Sequence, residues 1–96
     1  MSTRRYTGDN APNLTGSVNT DVTGASIELH LRRPDHTVLS RAAGITDAAT
    51  GAWTMPWQAD DLTQDGRWEV EAQITYSNGT VQTVGPDSLF VYRAIA

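Results

Sequence analysis

Arg67-Trp68-Glu69-Val70-Glu71-Ala72-Gln73-Ile74-Thr75-Tyr76 decides the fold, because Trp68, Val70, Ala72, Ile74 and Tyr76 alternate with Arg67, Glu69, Glu71, Gln73 and Thr75. A period of two with the apolar residues on one side describes a half-buried β-strand. The run stops at Ser77-Asn78-Gly79-Thr80. Asn-Gly is the strongest short hairpin signal, since both central residues of a type I′ turn need positive φ. A two-residue turn there pairs Tyr76 with Val81, Thr75 with Gln82 and Ile74 with Thr83. That register predicts Val81 and Thr83 on the inner face and Gln82 on the outer one.

Working outward, residues 25–32 repeat the pattern, with Ala25, Ile27, Leu29 and Leu31 alternating with Ser26, Glu28, His30 and Arg32. Arg33-Pro34-Asp35-His36 closes that strand, since proline lacks a ladder donor and presets φ. Residues 38–46 form a weaker strand with Ile45 as its best core candidate. Asp47-Ala48-Ala49-Thr50-Gly51 reads as a hairpin loop with Gly51 in a left-handed position. It leads to residues 52–58, where Trp53, Met55 and Trp57 share a face and Pro56 marks an edge or bulge. Asp60-Asp61-Leu62-Thr63 is expected to begin one helical turn under an aspartate cap. Residues 14–20 give a weak first strand interrupted by Gly16, of the kind found at a sheet edge. Gly85-Pro86-Asp87 is expected to turn the chain into a last strand with two apolar faces, Phe90, Tyr92 and Ala94 on one and Leu89, Val91 and Ile95 on the other. Residues 1–12 read as an extended N-terminal arm ahead of a domain over residues 13–96.

Seven short strands without a helical period predict an all-β domain, an immunoglobulin-like β-sandwich of about seven antiparallel strands, with a small barrel as the other reading. Asp65-Gly66-Arg67-Trp68-Glu69-Val70 echoes the corner at which an immunoglobulin tyrosine enters a core strand. Trp68 stands at the tyrosine's place, so the hydroxyl's hydrogen bond need not be kept. Ninety-six residues supply one core, burying roughly 60–65% of the surface of the extended chain. The rings of three Trp, three Tyr and one Phe must fill much of it.

Composition removes several classes of function. There is no Cys, hence no disulfide, thiolate chemistry or cysteine zinc site. A net charge of −4 argues against nonspecific nucleic-acid binding. No run approaches the roughly 20 apolar residues of a membrane helix, and the N-terminus has no apolar signal core, so the expectation is a product that stays in its compartment of synthesis unless assembled elsewhere. Asp61-x-Thr63-x-Asp65-Gly66 places oxygen ligands as a calcium loop does, but Ala72 occupies the twelfth position and a capped turn is the better reading. His30 and His36 lack the partners of a zinc site. No Gly-x-Ser-x-Gly elbow is present, and a small-molecule substrate is not expected. Asn13-Leu14-Thr15 and Asn78-Gly79-Thr80 match the glycosylation pattern, which matters only in a secreted eukaryotic protein. Arg32-Arg33 fits a solvated strand end. More apolar surface is present than one thin core needs, which points to partner contact.

The order of motifs resembles the immunoglobulin-like N-terminal domain of bacteriophage baseplate upper proteins and its small stand-alone relatives among phage structural genes. The matching residues are Gly8-Asp9-Asn10-Ala11-Pro12, residues 22–32 (Val-Thr-Gly-Ala-Ser-Ile-Glu-Leu-His-Leu-Arg) and Asp47-Ala48-Ala49-Thr50-Gly51. They continue through Trp57-Gln58-Ala59-Asp60-Asp61, Gly66-Arg67-Trp68-Glu69-Val70-Glu71 and Tyr76-Ser77-Asn78-Gly79-Thr80-Val81. The connection between the first two strands is shorter than is usual in that family, and residues 89–92 are more hydrophobic. The resemblance implies a non-enzymatic structural protein of a tailed phage, without cofactor, made in the bacterial cytoplasm and carried in the virion. There it would join tail, baseplate or head parts in several symmetric copies through other virion proteins. The expected attachment surface is Arg4, Arg5 and Tyr6 of the arm with Leu89, Val91 and Arg93 of the last strand. The alternative is a host-surface carbohydrate-binding module using exposed rings of Trp53 and Trp57.

Overall fold

The computed structural model describes residues 5–58 and 61–95. Its strands are β1 (Arg5–Tyr6), β2 (Leu14–Ser17), β3 (Ser26–Arg32), β4 (Val38–Asp47), β5 (Ala52–Met55), β6 (Gly66–Thr75) and β7 (Val81–Tyr92). No helix occurs among the described residues, and the strands form one curled sheet in the order β1-β7-β6-β3-β4-β5-β2. The chain is thus all-β, as the alternating runs require. Every pairing is antiparallel except β1 on β7, which is parallel.

β4 makes the sheet curl. Its residues 38–43 pair with β3, whereas residues 44–47 pair with β5, with a register shift between Ile45 and Asp47. The bend brings Trp53 and Met55 of β5, with Trp57 just beyond it, into one cluster with Ile27, Leu29, Leu31, Trp68, Ala72, Ile74 and Val91. Each such side chain removed from water is worth about 1.5–3 kcal/mol, so this cluster supplies the main drive to fold. The organising strand sits as its alternation demands: Trp68, Ala72 and Ile74 are buried and Val70 is half-buried. Gly16 lies opposite Trp53, and a Cβ there would stand 2.5 Å from the indole. The interruption of the first strand is therefore the space that the ring occupies.

Four expectations change. Part of the supposed N-terminal arm is a strand: Arg5 and Tyr6 pair with Val91 and Tyr92, and Thr7 donates its amide to Tyr92 O at 2.9 Å. The Asn78-Gly79 hairpin has a three-residue loop, closed by Gly79 N to Tyr76 O and Tyr76 N to Thr80 O, both 2.9 Å. Only Gly79 takes positive φ, because Asn78 Oδ1 is engaged by the amide and hydroxyl of Thr80. Thr75 accordingly faces Val81 and Ile74 faces Gln82, one residue away from the two-residue-turn register, which leaves Val81 and Thr83 exposed. Gly85-Pro86-Asp87 does not end a strand but forms a bulge opposite Glu71 inside the continuous β7. The expected helical turn has Asp60 outside the described residues, and Asp61 to Thr63 carry no helix. Leu62 O instead accepts the Gly8 amide at 2.8 Å, tying the N-terminal segment to this loop.

The Trp68 indole has a backbone partner upstream of its own strand. The indole Nε1 donates to Gln64 O, four residues upstream, at 3.0 Å. A tyrosine corner makes the same kind of reach to the backbone with a hydroxyl. The Arg33 guanidinium lies 5.7 Å from the Trp68 ring centroid on the outer side.

Candidate interaction surface

The last strand and β1 build the most distinctive surface. The bulge at Gly85-Pro86 places Leu89 opposite Trp68 and Phe90 opposite Arg67. Val91 and half-buried Leu89 therefore turn inward, while Phe90 and Tyr92 point outward with 56% and 44% of their surface exposed. Tyr6, level with Tyr92, extends the row, their ring centroids 5.9 Å apart and tilted by 42°. Arg67 completes it with an exposed guanidinium whose Nε donates to Ser88 Oγ at 3.0 Å. Aromatic rings with arginine, contiguous and solvent-facing, have the composition that dominates binding energy at protein interfaces.

The expected attachment residues thus separate. Tyr6 lies on the surface, Arg93 is exposed with its guanidinium 3.8 Å from Asp65, and Arg4 lies outside the described residues. Arg5 and Val91 are buried side by side. Arg5 is a structural clamp: its Nη1 donates to Pro12 O, its Nη2 to Asn13 O at 3.0 Å, and its guanidinium lies 5.6 Å from the Trp57 ring centroid. Burial lowers its pKa, partly offset by the nearby Asp9 carboxylate. Of the expected stripe, Leu89 is half-buried and Val91 is buried, and the exposed rings of that strand are Phe90 and Tyr92, which sequence reasoning did not single out. Both faces of that strand are apolar, and only the extra residue of the bulge decides which one turns in.

Trp53 and Trp57 are 8% and 5% exposed, so neither offers a ring to a sugar. The acidic loop is likewise committed. Asp61 is buried, with Oδ1 2.6 Å from Arg41 Nη2 and Oδ2 accepting the Gln58 amide at 2.8 Å. No group of three or more His, Cys, Asp or Glu among the described residues is placed to hold a metal ion. His30 lies on the outer face, its Nε2 2.8 Å from Glu28, and His36 occupies the left-handed position of the β3–β4 turn with φ of 72°.

A shallow hollow of about 540 Å3, with Val38 and Pro86 among its walls, covers the outer face over His30, Arg32, Glu69 and Glu71. Arg32 and Glu69 neutralise each other across it at 2.6 Å. Such an exposed pair contributes little energy, Glu71 adds a carboxylate that the pair does not cancel, and no aromatic ring lines the hollow. The aromatic row is therefore the better candidate for contact with another molecule. No protein-family model, curated protein or solved structure matches the chain.

Proposed function

We propose that this chain is a non-enzymatic structural component of a tailed bacteriophage virion, an immunoglobulin-like module that joins tail, baseplate or head parts through protein–protein contacts. The pairing scheme supports the fold half of this reading. If β2, β3, β5, β6 and β7 are matched in chain order to immunoglobulin strands B, C, E, F and G, β5 lies between β2 and the end of β4 as E lies between B and D. β3, β6 and β7 then follow the C-F-G order of the second layer. At the edge of that layer β1 pairs in parallel with the end of β7, Arg5 with Val91 and Tyr6 with Tyr92.

The observation that carries the functional half is the exposed row of Tyr6, Tyr92 and Phe90 beside Arg67, on a scaffold whose other large rings are spent on its core. A body of 46 × 25 × 22 Å with an exposed aromatic patch suits a spacer between larger parts. The sequence resemblance supplies the setting. With Trp53 and Trp57 buried, the carbohydrate alternative has no exposed ring at either position.

Quantitative mass spectrometry and an electron cryomicroscopy map of particles purified from the source lysate test the proposal. The expected result is this chain in stoichiometric, symmetric copies with its aromatic row against a neighbouring protein. Absence from the particles, together with binding of the isolated chain to host-surface glycans, would end it.

A further inference from the structure

The outer edges of β2 and β7 flank an open apolar cleft of about 210 Å3. Its walls include Leu14, Trp53, Val70, Val84 and Leu89, the inward-facing ends of both halves of the curled sheet. Among the described residues, β2 pairs with β5 alone, and the far edge of β7 is paired only at Val91 and Tyr92. The open backbone edge of β2 thus borders an apolar seam. One residue in it is out of keeping with the rest. Asp87 sits opposite Val70 on the inward-facing side of β7, is the one charged residue lining the cleft, and its carboxylate has no hydrogen bond or ion pair among the described residues.

The geometry points to a strand-acceptor site: this cleft takes an extended segment of another protein, apolar at alternate positions and carrying an Arg or Lys that faces Asp87. Strand addition at a sheet edge draws affinity from main-chain hydrogen bonds and specificity from pockets for alternate side chains, and both parts are present here. The charge complement comes from Asp87. Edge-to-edge pairing of β2 with the β2 of a second copy does not supply it, because that strand contains no basic residue. A drug-sized ligand is disfavoured by volume, since such pockets run to about 300–1,000 Å3. The site lies apart from the aromatic row on the outer face, so either can fail without the other.

The test titrates the full chain with the end-capped peptide Thr-Val-Thr-Arg-Thr-Val-Thr, following amide hydrogen exchange residue by residue. Saturable binding with slowed exchange over residues 14–17 is expected. Replacing the peptide's Arg by Glu should weaken binding by about fivefold, the upper range for an exposed ion pair. Pairing that Glu peptide with an Asp87→Arg protein should restore it, and Asp87 is exposed enough for the variant to fold. A peptide with Ser in place of both Val should not bind. No saturation by about 1 mM, protection elsewhere than residues 14–17, equal binding of the Ser peptide, or failure of the charge swap would each overturn the site. Concentration-dependent dimerisation that blocks the peptide would overturn it too, by assigning the cleft to a second copy.

Discussion

Three turns of this chain are closed by one side-chain device. Oδ1 of Asp21, Asp35 and Asn78 accepts the amide and the hydroxyl of the threonine two residues on, the hydroxyl in each case at 2.6 Å. The hydroxyl and amide of Thr37, then the Gln64 side chain, pull the Asp35 carboxyl from 3.8 down to about 2. The Thr23 hydroxyl and amide lower Asp21 in the same direction. A carboxyl with a depressed folded-state pKa stabilises above its unfolded value and loses that contribution as pH falls through the folded value. Urea midpoints should therefore fall between about pH 4 and pH 2. Asp35→Asn should flatten part of that fall, because asparagine keeps the acceptor, as Asn78 does, but cannot titrate. An unchanged slope would show that the turn carboxylate is not the titrating group. At Trp68 the indole N–H donates to the Gln64 carbonyl and ties the strand to the segment before it. Trp68→Phe should cost about 2–3 kcal/mol from lost volume and an undonated Gln64 carbonyl. Trp68→Tyr should cost about 1 kcal/mol less if its hydroxyl reaches that carbonyl, as read from denaturant unfolding.

The β6–β7 hairpin contains two departures from ideal pairing that cancel. Its three-residue loop shifts the register by one from that of a two-residue Asn-Gly turn, so Ala72 faces Val84. The bulge at Gly85-Pro86 then adds one residue on β7, so Val70 faces Asp87 and Trp68 faces Leu89. Beyond the bulge the strands hold the register that a two-residue turn would have produced. Gly79 and Gly85 both sit at positive φ, +88° and +118°, yet they differ in surroundings. A Cβ on Gly79 meets nothing within 4 Å, whereas one on Gly85 stands 2.9 Å from Val70 O. Gly79→Ala should cost about 1–2 kcal/mol, the left-handed penalty alone. Gly85→Ala should cost distinctly more and loosen amide protection from Asp87 to Val91. Equal costs would mean that the bulge has no part in holding the second half of the hairpin. The same pair of glycines explains what could be read from the chain. The alternation at Trp68, Ala72 and Ile74 marks the strand and its buried face, because a period of two has no other solution. Asn-Gly is compatible with two turn types, and the choice is made by the Thr80 hydroxyl, which no period reveals. β1 is too short to show a period, and in the last strand apolar residues on both faces leave the bulge as the only arbiter.

At the scale of the whole molecule, burial and exposure are divided along a single strand. Val91 is 2% exposed and belongs to the core, while its neighbours Phe90 and Tyr92 stand in solvent on the other side of the same backbone. Rings held in water contribute little to folding, and surface substitutions usually move stability by no more than about 0.5 kcal/mol. Phe90→Ser combined with Tyr92→Ser should therefore leave the unfolding midpoint nearly unchanged, apart from the lost contacts of Tyr92, the ring of Tyr6 among them, and should lower nonspecific adhesion of the purified protein. Val91→Ser, one residue away, should cost about 2–4 kcal/mol by opening a cavity and burying a hydroxyl beside Arg5. If the row is the attachment surface, the double variant folds yet is excluded from particles, whereas Val91→Ser is depleted through instability at every stage of expression. Thermal unfolding of both variants beside their incorporation into particles separates these outcomes. A double variant that unfolds as readily as Val91→Ser would place Phe90 and Tyr92 within the core and remove the surface on which the joining role depends.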